Sequence, residues 1–110
     1  MAALEAMITE DIRIQQAPSL PFGGVYVGWA GYLDVTEQLF GKMRKVHLEL
    51  IETWDGPQCS LIAHFMLNAV SKRTREAICM PLLEKWEFKD DKVAAITPFY
   101  YDTHLLSRQL

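Results

Sequence analysis

Cysteine is scarce in this chain, and the two present, Cys59 and Cys79, are too few and too far apart to make a disulfide framework or a zinc knuckle. Both are expected to be reduced and buried. Apolar residues never run on for the ~18 positions that a membrane-spanning helix needs, and no charged-then-apolar leader opens the sequence. The cytoplasm is therefore the expected location. An excess of one charge is also missing, since 11 lysines and arginines stand against 14 acids for a formal net charge of −3. That balance leaves no electrostatic footprint for nucleic acid or an anionic membrane, and neither is expected as a partner. The basic clusters Lys42, Arg44, Lys45 and Lys72, Arg73, Arg75 read as a solvated helix end and a hairpin turn. Glycine and proline are thinly spread, at 6 and 5 in 110 residues, so no linker, repeat or low-complexity tract divides the chain. Residues 1–110 read as one domain, long enough to bury a core without metal or disulfide staples.

What the chain has instead is alternation. Residues 46–54, 58–70, 76–88 and 92–101 alternate apolar with polar positions, separated by Asp55-Gly56-Pro57, by residues 71–75 and by Asp90-Asp91. Turn residues at that spacing predict consecutive antiparallel hairpins. Ahead of them, residues 2–8 have helix propensity over about two turns, and residues 10–16 read as a short strand with Ile12 and Ile14 on one face. Pro18, Pro21, Gly23 and Gly24 mark an irregular loop. Trp29, Tyr32, Leu33, Thr36, Leu39, Phe40 and Met43 recur at steps of three and four and predict an amphipathic helix. The tail after Thr103 reads as one helical turn or a frayed end. Together these make an α+β domain, with helices on one face of a bent antiparallel sheet. Both faces of that sheet carry apolar residues, because Leu61, Ala63, Phe65 and Leu67 alternate with Ile62, His64, Met66 and Val70. A second copy of the chain is the simplest cover for the outer face, so a homodimer is expected.

The sharpest chemical signal is Glu84. Read at period two, Leu82, Glu84, Trp86 and Phe88 share one face, which sets a carboxyl among large apolar groups. Burying an unpaired carboxylate costs several kcal/mol. Such an acid is paired with a cation such as Arg13, held neutral, or open to a cavity that binds something. Counting back through the Asp90-Asp91 turn pairs Phe88 with Val93, Trp86 with Ala95, Glu84 with Thr97, Leu82 with Phe99 and Met80 with Tyr101. Thr97 then neighbours the carboxyl, and Glu84 suits a general acid or base acting beside a carbonyl.

The order of the motifs adds a resemblance. Ser19-Leu20-Pro21-Phe22-Gly23-Gly24-Val25-Tyr26-Val27-Gly28, then Met80-Pro81-Leu82-Leu83-Glu84, then Asp90-Asp91-Lys92-Val93 and Phe99-Tyr100-Tyr101-Asp102-Thr103 together resemble the SnoaL-like group of the nuclear transport factor 2-like superfamily. That superfamily also holds ketosteroid isomerases and polyketide cyclases. The resemblance implies a cone-shaped, cystatin-like fold, with a curved sheet wrapped around helices, an apolar pocket at one end, and an outer sheet face that often forms a dimer interface. It also implies a cofactor-free site for a small hydrophobic ligand, carbonyl-bearing or polycyclic. Members usually begin with a long helix ahead of the segment equivalent to residues 2–8. This sequence lacks it, which implies a cone with one open wall. Gln15-Gln16 stand where related sequences often carry a His or an acid, and amides hold a ligand without taking its proton.

On this reading Glu84, Asp102 and Tyr101 are the candidate catalytic residues, with Tyr26 or Tyr101 as donor to an enolate oxygen. Asp102 serves equally as a helix cap for residues 103–106. Gln16, Tyr26, Trp29, Tyr32, Phe65, Trp86, Thr97 and Phe99 are the candidate ligand-binding residues, the aromatics serving otherwise as core. His64 is expected roughly opposite Glu49, beside His47 on the next strand. With His104 these make no metal-ligand spacing, so no metal is expected. Three functions remain open: a small-molecule pocket protein, an isomerase or cyclase in which Glu84 moves a proton, and a dimeric interaction module.

Overall fold

Alternating runs rich in β-branched and aromatic residues become strands wherever a turn lets them pair, and the computed structural model, which describes residues 2–110, follows that rule. Its elements in chain order are α1 (Ala2–Glu5), β1 (Ile8–Gln16), β2 (Gly24–Val27), α2 (Gly28–Phe40), β3 (Met43–Gly56), β4 (Ser60–Ser71), β5 (Ala77–Lys89), β6 (Lys92–Tyr100) and α3 (Thr103–Gln109). The six strands form one curved sheet in the order β2-β1-β6-β5-β4-β3. All neighbours are antiparallel except β1 and β6, which run parallel. The architecture is the α+β one expected, with the helices on the inside of the curve. Among the described residues, no helix is long and apolar enough to cross a membrane.

The decisive local feature lies in the last hairpin. Asp90 and Asp91 turn the chain with φ of 52° and 63°, the doubly left-handed geometry of a two-residue hairpin, which aspartate tolerates better than most residues. Phe88 pairs with Val93 as expected, but the register then steps to Glu87 opposite Ala95, leaving Ala94 as the extra residue of a β-bulge. Beyond it Trp86 faces Ile96, Glu84 faces Pro98, Leu83 faces Phe99 and Leu82 faces Tyr100. The expected pairs of Glu84 with Thr97 and Leu82 with Phe99 are thus out by one. A slip of one residue turns every later side chain to the other face.

Two glycines let α2 begin where it does. Gly28 has φ of +76° at the strand-to-helix corner, and a Cβ on Gly31 would sit 2.9 Å from the Tyr26 carbonyl carbon. The helix thereby lies close against β2, burying Val35 and Leu39. It ends at Phe40, earlier than its apolar spacing suggests, because Gly41 closes it and Met43 is already paired with Ser71. The helix expected over residues 2–8 likewise stops at Glu5, and Ile8 opens β1. Gly24–Val27, within a stretch read as loop and the approach to α2, adds a short strand to β1.

Ile12, Phe22, Leu67, Ile78, Met80 and Leu106 form the most deeply buried part of the core. The tail is more ordered than one turn. Asp102 caps α3, Leu106 is fully buried, and Gln109 ties the helix end to the β4–β5 hairpin through Ser71, Thr74 and Glu76. Both cysteines are exposed rather than buried. Cys59 lies in the left-handed turn before β4, and Cys79 shares the outer-face parity of Pro81 and Leu83 on β5.

Candidate functional site

β5 alternates without interruption from Met80 to Trp86, so Leu82, Glu84 and Trp86 all face α2 across the concave side of the sheet. Glu84 has Ala63 opposite it on β4 and Pro98 on β6. Two short side chains flank the carboxyl, and space remains above it. A cavity of about 320 Å³ fills that space, walled by Tyr32, Val35, Leu39 and Phe40 from α2 and by Phe65, Leu82, Ile96 and Tyr100 from the sheet. Leu4, Met7 and Leu48 complete its apolar rim.

Polar groups are few on this lining. The Trp86 indole Nε1–H donates to Glu84 Oε1 at 2.9 Å. Burial raises the Glu84 pKa above its ordinary value, and the Trp86 hydrogen bond offsets part of that rise. Among the described residues no lysine, arginine or histidine lines the cavity around the carboxyl, and Arg13 is exposed on the opposite parity of β1 to Ile14. Thr36 is already committed, its hydroxyl donating to the Tyr32 carbonyl at 2.7 Å. Tyr100 is buried, and burial holds its hydroxyl protonated far above the usual phenol range. The Gln16 amide acts against that rise, and a charge on Glu84 adds to it. Gln16 itself is only 3% exposed, and its Oε1 has no hydrogen-bond partner.

Of the candidates named from sequence, Glu84, Gln16, Tyr32, Phe65 and Trp86 come together on this one cavity. The others stand elsewhere. Tyr26 gives its hydroxyl to the Phe22 carbonyl at 2.8 Å and packs against the core. Trp29 stacks on Tyr32, ring centroids 5.4 Å apart, and borders a separate depression with Thr9 and Lys92. The Ala94 bulge puts Thr97 and Phe99 on the outer face, beside Gln15 and Pro18. Tyr101 lies past the end of β6, 79% exposed. Asp102 accepts from the Leu105 backbone N–H at 2.9 Å as the cap of α3, so its carboxylate is engaged away from the cavity. The β3–β4 turn, with Gly56 opposite Ser60, sets His64 opposite Glu52 instead of Glu49; a second bulge follows at Ile51, and His47 faces Asn68. The His64 ring stacks on Trp54, centroids 6.3 Å apart.

Tyr100, Pro98 and Ile96 are the cavity residues that period-two counting missed. One signal for them was present: Val93 and Ile96 are both large and apolar but three apart, with two alanines between, a spacing that only a bulge reconciles with a single inner face.

No protein-family model matches the sequence, and no curated protein matches it. Solved structures do. An NTF2-like protein of unknown function from Burkholderia pseudomallei superposes with a TM-score of 0.85 at 12% identity, covering 98% of this chain and 82% of its own. TerC, co-crystallised with polyporic acid, gives 0.80 at 14% identity over 94% of this chain and 80% of its own. A SnoaL-like polyketide cyclase from Jannaschia, so described provisionally, gives 0.79 at 9% identity over 91% of this chain and 71% of its own. This chain has the nuclear transport factor 2-like fold. In that fold the concave sheet face and α2 enclose the cavity, and the loop from Ala17 to Gly23, which enters β2, packs Leu20 and Phe22 into the core beside it. The nuclear transport factor 2-like fold serves many chemistries, so function rests on the cavity's own residues.

Proposed function

We propose that this protein binds a small, largely apolar molecule in the cavity, oriented by Glu84. The observation that carries this reading is the Glu84 carboxyl on an apolar wall, hydrogen-bonded to Trp86 and, among the described residues, without a cation on the cavity lining. A purely structural acid in such a place is normally neutralised by a positive partner. The one-sided polarity of the cavity fits a hydrophobic ligand bearing a carbonyl or a fused-ring system. TerC, of the same fold, was co-crystallised with polyporic acid. A proton-transfer role for Glu84, as in an isomerase or cyclase, is favoured by its raised pKa. In that reading Tyr100, rather than Tyr101, is the hydroxyl near enough to help. One experiment tests both readings: a panel of enolisable hydrophobic ketones is titrated against Trp86 fluorescence and then assayed for turnover. Binding with Glu84→Gln retaining affinity but losing turnover ~10²-fold or more supports catalysis; binding without turnover leaves the pocket protein; no binding across the panel, with no small molecule retained in native mass spectra, overturns both.

We propose further that the outer sheet face pairs with a second copy of the chain. Leu83 at 37%, Phe99 at 57% and Trp54 at 47% exposure stand across β5, β6 and β3, with Ile62 and Met66 between them. Large apolar groups exposed on neighbouring strands, interspersed with His64, Glu52 and Lys85, fit an interface with an apolar centre and polar members.

A further inference from the structure

Three polar side chains converge around one short residue on the cavity floor. Pro98 lies between Glu84 on β5 and, two residues beyond the Ile14–Ile96 pair, Gln16 on β1. Adjacent strands are about 4.8 Å apart, so Gln16 and Glu84 stand roughly 10 Å from each other with only the proline ring between them. Tyr100, the next inward residue on β6, overlooks the same spot. Gln16 is 3% exposed, yet its Oε1 has no partner. Buried amide oxygens in folded proteins nearly always have one. Gln16 and Tyr100 line the same part of the cavity, and a tyrosine that accepts from the amide N–H keeps its own proton to give. Gln16 and Tyr100 therefore present one free acceptor and one free donor side by side.

We propose that the ligand of this cavity carries a hydroxyl group, seated over Pro98, that donates to Gln16 Oε1 and accepts from the Tyr100 hydroxyl. The inference rests on the cavity being a ligand site and names the class of ligand it takes: an alcohol or phenol on an apolar frame. A ketone or an ether has no proton for Gln16, and an ammonium has no lone pair for Tyr100. A hydroxyl has both. Glu84, at the third corner and held by Trp86, remains available to another polar atom of the same ligand.

The test compares 2-naphthol with 2-methoxynaphthalene, a pair that differs in the hydroxyl proton and one methyl group, by calorimetric titration of the full chain at pH 7. The naphthol is expected to bind about tenfold or more tighter, since the ether leaves a buried acceptor unpaired. In Gln16→Leu the ratio falls to near one. In an ¹⁵N-resolved spectrum the Gln16 side-chain amide signals shift on adding the naphthol and not the ether. A wild-type ratio near one, with both probes bound, overturns the hydroxyl site, whether because a water already satisfies Gln16 or because the ring binds elsewhere in the cavity. The pocket reading would survive that result. Failure of both probes to bind at millimolar concentration overturns the hydroxyl site and the pocket together. If Gln16→Leu does not fold by circular dichroism, the wild-type ratio and the amide signals decide alone.

Discussion

At Glu84 a single carboxyl is surrounded by Leu82, Trp86, Phe65 and the apolar face of α2, and its titration is tied to folding. Its pKa is raised in the folded chain from an ordinary value of 4.5. Below that value the carboxyl is protonated both folded and unfolded, and it contributes no pH dependence. As the pH rises through and above it, the unfolded chain releases its proton first, so the folded state binds more protons and stability falls. The decline approaches at most about 1.4 kcal/mol per pH unit for one proton and ends above the folded pKa. Glu84→Gln keeps an oxygen acceptor for Trp86 and has no such decline. The melting temperature of the wild type is therefore expected to fall relative to that of Glu84→Gln as the pH rises above about 4.5. Parallel curves would remove the buried-acid account. Glu84 and Trp86 were legible in the sequence because β5 runs through them without a break. Gln16 was named from the family resemblance, at a position where related sequences often carry a His or an acid, and the unbroken alternation from Ile12 and Ile14 turns it inward. Tyr100 was missed by period-two counting, and only the three-residue spacing of Val93 and Ile96 pointed to an inserted residue before it.

The elements themselves were easier to read than their registers. Four long strands, the amphipathic helix and the hairpin turns follow from alternation and turn chemistry, which are local. Register depends on bulges, and those are set by which side chains fill the core. Val93 and Ile96 both find places inside because Ala94 and Ala95 are small enough to let the strand buckle between them. Likewise the tail looked marginal because helix propensity does not register tertiary contacts. Leu106 in the core and Gln109 against Ser71, Thr74 and Glu76 hold α3 in place. Asp102→Ala is expected to lower the unfolding free energy by about 1 kcal/mol in urea titration, the usual cost of losing an N-cap, while Asp102→Asn restores most of it. An equal loss for both substitutions would mean that the charge, not the cap, matters.

For the molecule as a whole, the sheet carries large apolar side chains on both sides, and among the described residues the pocket-lining helix α2 covers the concave one. That duality was visible in the sequence, where β4 offers apolar residues at both parities. Which of them lie on the convex surface follows from the bulge at Ala94 and the β3–β4 turn, which bring Phe99 and Trp54 to the side occupied by Leu83. If that surface is a homodimer interface, Leu83→Glu sets like charges against each other across the pair and yields monomers by sedimentation velocity, with the fold intact by circular dichroism. A wild type that sediments as a monomer at micromolar concentration would refute the pairing.

The unpaired alanine in β6 also has an evolutionary consequence. Removing one codon there would restore unbroken alternation and keep the proline and the tyrosine on the chamber wall, because the residues on either side of the extra one already hold the pairings of a regular strand. A scaffold of this kind can shed that residue through a single-codon deletion without altering which side chains meet the guest.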